Sequence, residues 1–184
     1  MSWLPWVIAL LVIAVILGVY LSATAGRLDR LHHRVDNGLE AMDIALRKRS
    51  AYAGKIAESL LLDPATSIVI LEAAGNASVA EAEGDPLQRA QVESDLTRTL
   101  AVAFDSAEFV SQISNNEPGT HLVSEISDAV HRTAMSRRFY NDAVRACRAV
   151  RRQHLVRWFR LAGSAPYPKS AEFDDSVPIG LLDR

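Results

Sequence analysis

The sequence predicts an all-α protein, with a single N-terminal transmembrane helix followed by an antiparallel four-helix bundle. Three observations carry this prediction. The chain begins with a long apolar run, apolar residues then recur at three- and four-residue steps, and turn-forming residues divide the remainder into four segments. We see no strand-like alternation of any length. We therefore expect an anchor over residues 1–24, a helical bundle over 25–160 and an extended C-terminal tail over 161–184.

The apolar run extends over Leu4–Leu21, which is 18 residues. A helix of that length rises about 27 Å, close to the hydrocarbon thickness of a bilayer. Trp3, Trp6 and Tyr20 lie near its two ends, where amphipathic rings favour the headgroup layer. The alternative is a cleaved signal peptide, because Ala23-Thr24-Ala25 has the small residues of a cleavage site. The length of the run and the absence of Lys or Arg before it favour a retained anchor.

Basic residues flank the apolar run on one side only. Arg27, Arg30 and Arg34 follow it, whereas only the terminal amine precedes it. Positive residues close to a span are retained on the cytoplasmic side. We therefore expect a single-pass protein of the inner (plasma) membrane, with its N-terminus outside and its bundle in the cytoplasm.

The composition restricts the function classes. The chain has 184 residues, 49% of them hydrophobic, and its single cysteine is Cys147. One cysteine excludes an internal disulfide framework and a zinc site built from several cysteines. The net charge of −2 gives no general attraction to nucleic acid. The charges are unevenly distributed, however: residues 58–128 hold thirteen acidic residues against two arginines, and residues 137–160 hold eight arginines against one acidic residue.

The apolar spacing predicts that the first helix of the bundle continues directly from the anchor. Its stripe consists of residues three or four positions apart, namely Leu28, Leu31, Val35, Leu39, Met42 and Leu46. Asp63-Pro64 should end this helix and start the next, because Asp caps helices and proline fits their first turn. The second helix is expected from about Pro64 to Glu81. Its apolar residues include Ile68, Val69, Leu71 and Ala74.

Two further turns define the remaining helices. Glu83-Gly84-Asp85-Pro86 precedes a third helix, expected from about Pro86 to Ile113. Asn115-Asn116-Glu117-Pro118-Gly119 precedes a fourth, expected from about Thr120 past Val150. Connections this short favour antiparallel neighbours, and therefore an up-down-up-down bundle. Beyond Gly163, a segment that contains prolines predicts an extended and partly packed tail.

Two segments resemble the LemA family of membrane-anchored bacterial proteins. Residues 42–49, Met-Asp-Ile-Ala-Leu-Arg-Lys-Arg, are similar to the family's Ile-Asp-Val-x-Leu-x-x-Arg pattern. The matching residues are Asp43, Leu46 and Arg49. Residues 137–144, Arg-Arg-Phe-Tyr-Asn-Asp-Ala-Val, are similar to its Arg-x-x-Tyr-Asn-x-x-Val pattern. The matching residues there are Arg137, Tyr140, Asn141 and Val144.

The resemblance implies a membrane-anchored antiparallel helical bundle without an established catalytic activity. LemA-like proteins are regarded as scaffold or accessory proteins of the bacterial envelope. We therefore expect a non-catalytic scaffold or adaptor with an unidentified protein partner, no cofactor and no small-molecule substrate. Two alternatives from other classes stay open: a bundle that binds or senses an anionic lipid surface, and a metal-binding or enzymatic bundle.

The polar residues of the two motifs permit two interpretations. Asp43, Arg47, Arg49, Tyr140 and Asn141 could form a recognition surface or a buried polar site. Packing is the interpretation we favour, because helical bundles commonly need such groups to fix the pairing of their helices. It predicts that Asp43 pairs with a nearby arginine and that the Tyr140 ring lies in the core.

Metal-binding and catalytic patterns are weak. Two Asp-x-x-His pairs occur, Asp29 with His32 and Asp128 with His131, but the bundle topology would place them nearly a helix length apart. The sequence contains no zincin motif, phosphate-binding loop or nucleophile elbow. Cys147 falls on the apolar stripe of the fourth helix, which indicates a small core residue. We expect no metal site.

The arginines near the end of the fourth helix are the sharpest signal of a site. At 100° per residue, several share a face turned away from Tyr140, Val144 and Cys147. This face is either solvated and paired with the acidic helices, or a contact surface near the headgroups if the helix returns to the membrane. The candidates for lipid or partner contact are Arg138, Arg145, Arg148, Arg152, Arg157, Trp158 and Arg160. Nucleic acid is not expected, since no nucleic-acid-binding motif is present.

Overall fold

The computed structural model describes residues 3–83 and 86–182, apart from the side chains of residues 81–83. Over these residues the chain is all-helical and contains no strand, which confirms the predicted class. The helices are α1 (Leu4–Glu58), α2 (Pro64–Glu83), α3 (Pro86–Ala103), α4 (Ala107–Ile113), α5 (Glu117–Arg151) and α6 (His154–Trp158), followed by a 3₁₀-helix (Ile179–Leu181).

Helix α1 joins the apolar run to the first predicted soluble helix without a break. Its 55 residues include the small-residue stretch Ala23-Thr24-Ala25. One 18-residue window is apolar and long enough to cross a membrane, and none of it is buried within the protein. The helix ends at Glu58, before the predicted Asp63-Pro64 boundary. Leu60 adopts a left-handed conformation with φ of 62°, which does not continue an α-helix.

Asp63 caps α2 as its sequence position suggests. Its Oδ1 accepts hydrogen bonds from the backbone N–H groups of Ala65 and Thr66, both at 3.0 Å. Helix α2 packs against α3. The predicted break between these two helices includes Gly84 and Asp85, which lie outside the described residues.

Helix α2 buries a different set of residues from those named by the sequence pattern. Of the four named, only Ala74 is buried, whereas Ile68, Val69 and Leu71 are exposed. Over residues 64–80, the buried side chains of this helix are small apart from one isoleucine: Ile70, Ala74, Ala77 and Ala80. The helix is apolar on more than one face, so periodicity alone could not choose the buried one.

The third predicted helix is in fact two helices, α3 and α4. The chain leaves the helical conformation after Ala103, and Phe104 is completely buried. Ser106 is the N-cap of α4, because its Oγ accepts a hydrogen bond from Phe109 N at 3.2 Å. Ser-type caps satisfy an N–H group that the first helical turn leaves unpaired.

Helix α5 begins at Glu117, slightly earlier than the sequence predicts, and ends at Arg151. Asn116 Oδ1 accepts a hydrogen bond from Gly119 N at 3.0 Å. A Cβ atom at Gly119 would lie 1.7 Å from the carbonyl oxygen of Ile113, so only glycine fits this turn. The short helix α6 was not predicted as a separate element.

The chain forms two compact units. The first consists of Met1–Gly38 and Asn141–Ser170, and the second of Leu39–Tyr140 and Ala171–Arg184. The large apolar cluster belongs to the second unit and includes Ile56, Ile70, Leu96, Phe104, Val110 and Ile126. The first unit has its own buried apolar residues: Leu28, Val35, Val144, Cys147, Val150 and Val156.

The C-terminal tail combines an extended segment with a short helical turn. Residues 165–178 have neither helix nor strand, and Leu181 in the following 3₁₀-helix is completely buried in the core of the second unit. Gly180 N donates to the carbonyl oxygen of Phe104 at 3.0 Å. A Cβ atom there would lie 2.7 Å from the Ser106 carbonyl oxygen, so this close approach requires glycine.

Candidate functional site

A buried ion pair lies in the second unit. Arg49 on α1 contacts Glu93 on α3, with Nη2 and Oε2 2.5 Å apart, and both side chains are almost fully buried. Arg49 Nη1 also donates to Thr97 Oγ1 at 2.8 Å, and Nη2 donates to the Glu93 carbonyl oxygen at 3.0 Å. Because every partner lies within the protein, this network fixes the pairing of α1 with α3.

The sequence spacing explains why Arg49 is buried. It follows Met42 and Leu46 at the four- and three-residue steps of the apolar stripe, so it occupies the same face of α1. Asp43 is next to this face and forms an ion pair with Arg89 of α3 at 2.8 Å. This is the kind of pair that the packing interpretation predicted, although the sequence alone did not identify Arg89.

The second motif, residues 137–144, spans the point in the sequence where the second unit ends and the first resumes. Tyr140 is buried with 7% of its surface exposed, and Val144 is completely buried. Leu46 is also buried, whereas Asn141 is partly exposed and Arg47 is exposed. The motifs therefore mainly supply core and interhelical residues.

Arg137 holds the tail in the second unit. Its Nη2 donates to Asp175 Oδ1 at 2.7 Å, and its guanidinium carbon lies 5.6 Å from the centre of the Phe173 ring. The backbone of Asp174 is bound as well: its carbonyl oxygen accepts from Thr97 Oγ1 at 2.7 Å, and its N–H donates to Ser94 Oγ at 3.0 Å. Thr97 thus joins the buried ion pair to the tail.

Two arginines hold the preceding part of the tail in the first unit. The guanidinium groups of Arg148 and Arg151 both lie 5.3 Å from the centre of the Tyr167 ring. Arg148 Nε donates to the carbonyl oxygen of Pro168 at 2.8 Å, and Arg151 donates to those of Ala165 and Pro166. Arg148 is therefore used inside the chain, which differs from the predicted outward contact.

The remaining candidate arginines point outwards. Arg145 pairs with Asp142 on the same exposed face of α5. Four others are exposed, and the described part of the chain gives none of them an ion pair or side-chain hydrogen bond: Arg138, Arg152, Arg157 and Arg160. Trp158 is 83% exposed, and its ring centre lies 6.1 Å from that of Phe159.

Helix α6 lies beside the apolar part of α1. Leu155 lines a groove with Ile13, Ile16, Leu17 and Tyr20, all of which belong to the apolar run. Other contacts follow the same order along the first unit, since Arg151 Nη1 lies 3.4 Å from His32 Nε2. Successively later residues of α5 and α6 therefore lie beside successively earlier residues of α1.

The turn after α6 forms a Schellman motif. Leu161 N donates to the carbonyl oxygen of Val156 at 3.0 Å, and Arg160 N donates to that of Arg157 at 3.3 Å. Arg160 occupies the left-handed position with φ of 49°, where glycine is the usual residue. Gly163 takes the same conformation three residues later, with φ of 55°.

The pKa values of Cys147, Tyr52 and Asp63 are shifted from their ordinary values. Burial raises the pKa of Cys147, which keeps this thiol protonated at neutral pH. A side-chain hydrogen bond with Glu125 raises the pKa of Tyr52, and hydrogen bonds from Thr66 lower the pKa of Asp63. None of the three lies in the exposed arginine cluster.

The residues of the Asp-x-x-His pairs have other neighbours. Asp29 lies 3.8 Å from His33, Asp128 lies 3.7 Å from Arg132, and His131 Nδ1 contacts the carbonyl oxygen of Ser127 at 2.9 Å. Across residues 3–83 and 86–182, no group of three or more His, Cys, Asp or Glu is arranged to hold a metal ion.

Comparison of the chain with protein-family models, with curated proteins and with solved structures finds no match. The resemblance to the LemA family therefore rests on the two motifs and their order in the sequence.

Proposed function

We propose that this chain is a single-span protein of the inner membrane that acts as a non-catalytic scaffold or adaptor of the LemA type. The observation that carries the proposal is the apolar part of α1. Large side chains project from it on all sides, with Trp6, Leu10 and Ile16 each more than 60% exposed. A bilayer supplies the apolar surroundings that these side chains lack within the protein.

The structure of the first unit favours a retained anchor over a cleaved signal. The small-residue stretch Ala23-Thr24-Ala25 continues the helix, and Thr24 Oγ1 donates to the Tyr20 carbonyl oxygen at 2.8 Å. Leu155 also packs against the apolar run. Cleavage after residue 25 would remove all of these contacts, which would not be expected of a discarded segment.

The same unit supports an orientation with the helical part in the cytoplasm. It contains ten basic side chains against three acidic ones, a net charge of +7. Arg27, Arg30 and Arg34 follow the apolar run directly. Basic residues close to a span favour the cytoplasmic side.

An antiparallel four-helix arrangement is part of the proposal. The order of contacts between α1 and the α5–α6 segment supports antiparallel packing in the first unit. In the second unit, the pairing of α2 with α3 across a short connection supports it. The motif residues support the bundle through Arg49 and Asp43, which pair with Glu93 and Arg89.

An exposed patch on α5 supports an adaptor function. Met135 and Phe139 lie one helical turn apart and are 50% and 68% exposed. Arg138 lies beside them and is exposed too. Aromatic residues, Met and Arg are enriched at protein interfaces, and such residues commonly contribute the most binding energy. We assign this patch, Met135–Arg138–Phe139, to the protein partner.

Alkaline carbonate extraction tests the anchor. The native chain should stay with the membrane pellet, whereas the Leu10→Lys/Ile13→Lys variant should be released, because each charge at the centre of a span costs about 3 kcal/mol. The matched Leu10→Ala/Ile13→Ala variant should stay in the pellet. Complete release of the native chain would contradict the proposal.

Photo-crosslinking tests the adaptor function. A photoreactive residue at position 139 should give a discrete protein adduct in cells, and the same residue at Ser111, which is exposed on α4, should not. If neither position gives an adduct, or both give the same mixture, the assigned patch is wrong.

A further inference from the structure

The segment after α5 combines exposed positive charge with a position beside the apolar run. Leu155 of α6 lines a groove together with Ile13, Ile16, Leu17 and Tyr20 of α1. If α1 spans the bilayer, as the proposed function holds, these four residues lie in the half of the membrane that faces the basic flank. Helix α6 then lies within this half of the membrane, where long arginine side chains extend to the headgroup phosphates.

The side chains of α6 fit that position. Val156 is buried, and Leu155 packs on the anchor. Trp158 and Phe159, by contrast, are 83% and 46% exposed. Exposed aromatic rings next to a span favour the headgroup layer, where an indole ring has apolar contacts and its N–H has polar ones.

The arginines of this segment have no carboxylate partner among the residues that the structure describes. Arg152, Arg157 and Arg160 are exposed, and within the described residues none of them pairs with a carboxylate. Neighbouring arginines differ, because Arg145 pairs with Asp142 and Arg148 binds the tail. The acidic residues of the unit number three, and one of them is already paired with Arg145. Three positive charges therefore remain for an anionic ligand.

We propose that residues 152–161, the headgroup turn, bind the phosphate groups of anionic phospholipids. Arg152, Arg157 and Arg160 supply the charge, and Trp158 holds the turn at the depth of the headgroups. Guanidinium groups bind phosphate oxygens with paired hydrogen bonds. This lipid contact rests on the proposed function, because it requires α1 to be anchored in the membrane.

The backbone at Arg160 gives the proposal a sharp test. This position is left-handed, so glycine would fit it better than arginine does. If arginine were present for structure alone, Arg160→Gly would raise the melting temperature and would not weaken the binding of anionic lipid. A ligand-binding arginine instead predicts a variant that melts at a higher temperature but binds anionic lipid more weakly.

The experiment uses the full chain reconstituted in phosphatidylcholine bilayers that contain a spin-labelled lipid. We expect the protein to associate with labelled phosphatidylglycerol in preference to labelled phosphatidylcholine. The preference should fall with added salt, because about 1 M salt reduces the screening length to about 3 Å. Removing one arginine should lower the association by up to about fivefold.

Matched variants separate charge from structure. Arg157→Gln and Arg160→Gly should each reduce the preference for phosphatidylglycerol, and Arg160→Lys should keep most of it. Lys48→Gln removes one exposed charge from α1 outside the first unit and should leave the preference unchanged. An unchanged preference in Arg157→Gln and Arg160→Gly would overturn the proposal, as would equal losses in Lys48→Gln.

The two experiments distinguish an incorrect lipid site from an incorrect membrane anchor. A chain that resists carbonate extraction but shows no preference between the two lipids overturns the lipid site alone. A chain that carbonate releases overturns the anchor, and the lipid site with it.

Discussion

The two units of the chain carry net charges of opposite sign. The first unit has ten basic and three acidic side chains, a net charge of +7, and the second has ten basic and nineteen acidic ones, a net charge of −9. In the second unit, arginines are paired inside the protein, as in Arg49 with Glu93 and Arg137 with Asp175. In the first unit, Arg152, Arg157 and Arg160 face outwards. Similar side chains are thus bound within the protein at some positions and exposed at others, and the lipid proposal concerns only the three exposed arginines of the first unit.

Removing a buried charge should have the largest effect of the changes considered. Arg49→Met leaves the Glu93 carboxylate buried without the Arg49 guanidinium, and we expect a loss of about 3–5 kcal/mol in the free energy of unfolding. The corresponding change in the first unit, Arg152→Met, should stay within about 0.5 kcal/mol because that side chain is exposed. Urea denaturation of the full chain in detergent, followed by circular dichroism, measures both.

A double variant checks the origin of that loss. Arg49→Met/Glu93→Leu removes both charges and should recover most of the stability, since an apolar pair can replace a buried ion pair. A small loss in the free energy of unfolding for Arg49→Met alone would show that the ion pair is solvated. It would contradict the contrast between a buried arginine in the second unit and exposed arginines in the first.

The packing of the tail should have the next largest effect. Gly180→Ala would put a Cβ atom 2.7 Å from both the Ser106 carbonyl oxygen and Val110 Cγ2, so we expect a loss of about 1–3 kcal/mol. The control is Gly75→Ala in α2, where the added Cβ meets nothing within 4 Å. That change should stabilise the protein by about 0.5–1 kcal/mol. Thermal melts of both variants test the prediction, and a harmless Gly180→Ala would contradict the docked tail.

Left-handed residues occur in both units and give a smaller, matched effect. Leu60 in the second unit and Arg160 in the first have φ values of 62° and 49°. Replacing either by glycine should relieve strain and stabilise the protein by about 0.5–1 kcal/mol. The same melts measure it, with Leu60→Ala as a control that keeps the strain. Only Arg160→Gly should also weaken binding of anionic lipid.

The smallest effect concerns the acid sensitivity of the α2 cap. Hydrogen bonds from Thr66 lower the pKa of Asp63, so the ionised cap is favoured by the folded state. Its contribution is complete above the unfolded pKa of about 3.9 and is lost as the pH falls through the lower folded value. The protection of the Ala65 and Thr66 amides, relative to their intrinsic exchange rates, should therefore fall in this acidic range. Asp63→Asn keeps a capping side chain and should remove the pH dependence.

Local patterns predicted the continuous first helix, but only part of its buried face. Of the six residues in the predicted stripe, Leu28, Val35, Met42 and Leu46 are buried, whereas Leu31 is partly exposed and Leu39 is exposed. The break between α3 and α4 was missed because Phe104 and Ser106 lie within a continuous apolar pattern. The cap that starts α4 depends on the Ser106 side chain, which has no distinctive flanking sequence.

The contacts of the candidate sites depend on residues far apart in the chain. Arg49 and Glu93 are 44 positions apart, and Arg148 and Pro168 are 20 positions apart. A single sequence gives no signal for such pairs. It could therefore locate the arginine cluster but could not show that Arg148 binds the tail while Arg157 and Arg160 stay exposed.

The central claim is that the chain crosses a membrane once and keeps its helical part in the cytoplasm. The most direct measurement uses a Cys147→Ala/Asn115→Cys variant, in which the one cysteine is exposed between α4 and α5. Intact cells are treated with a membrane-impermeant maleimide before and after lysis. The account predicts labelling only after lysis. Labelling of intact cells would contradict it by placing the helical part outside the membrane.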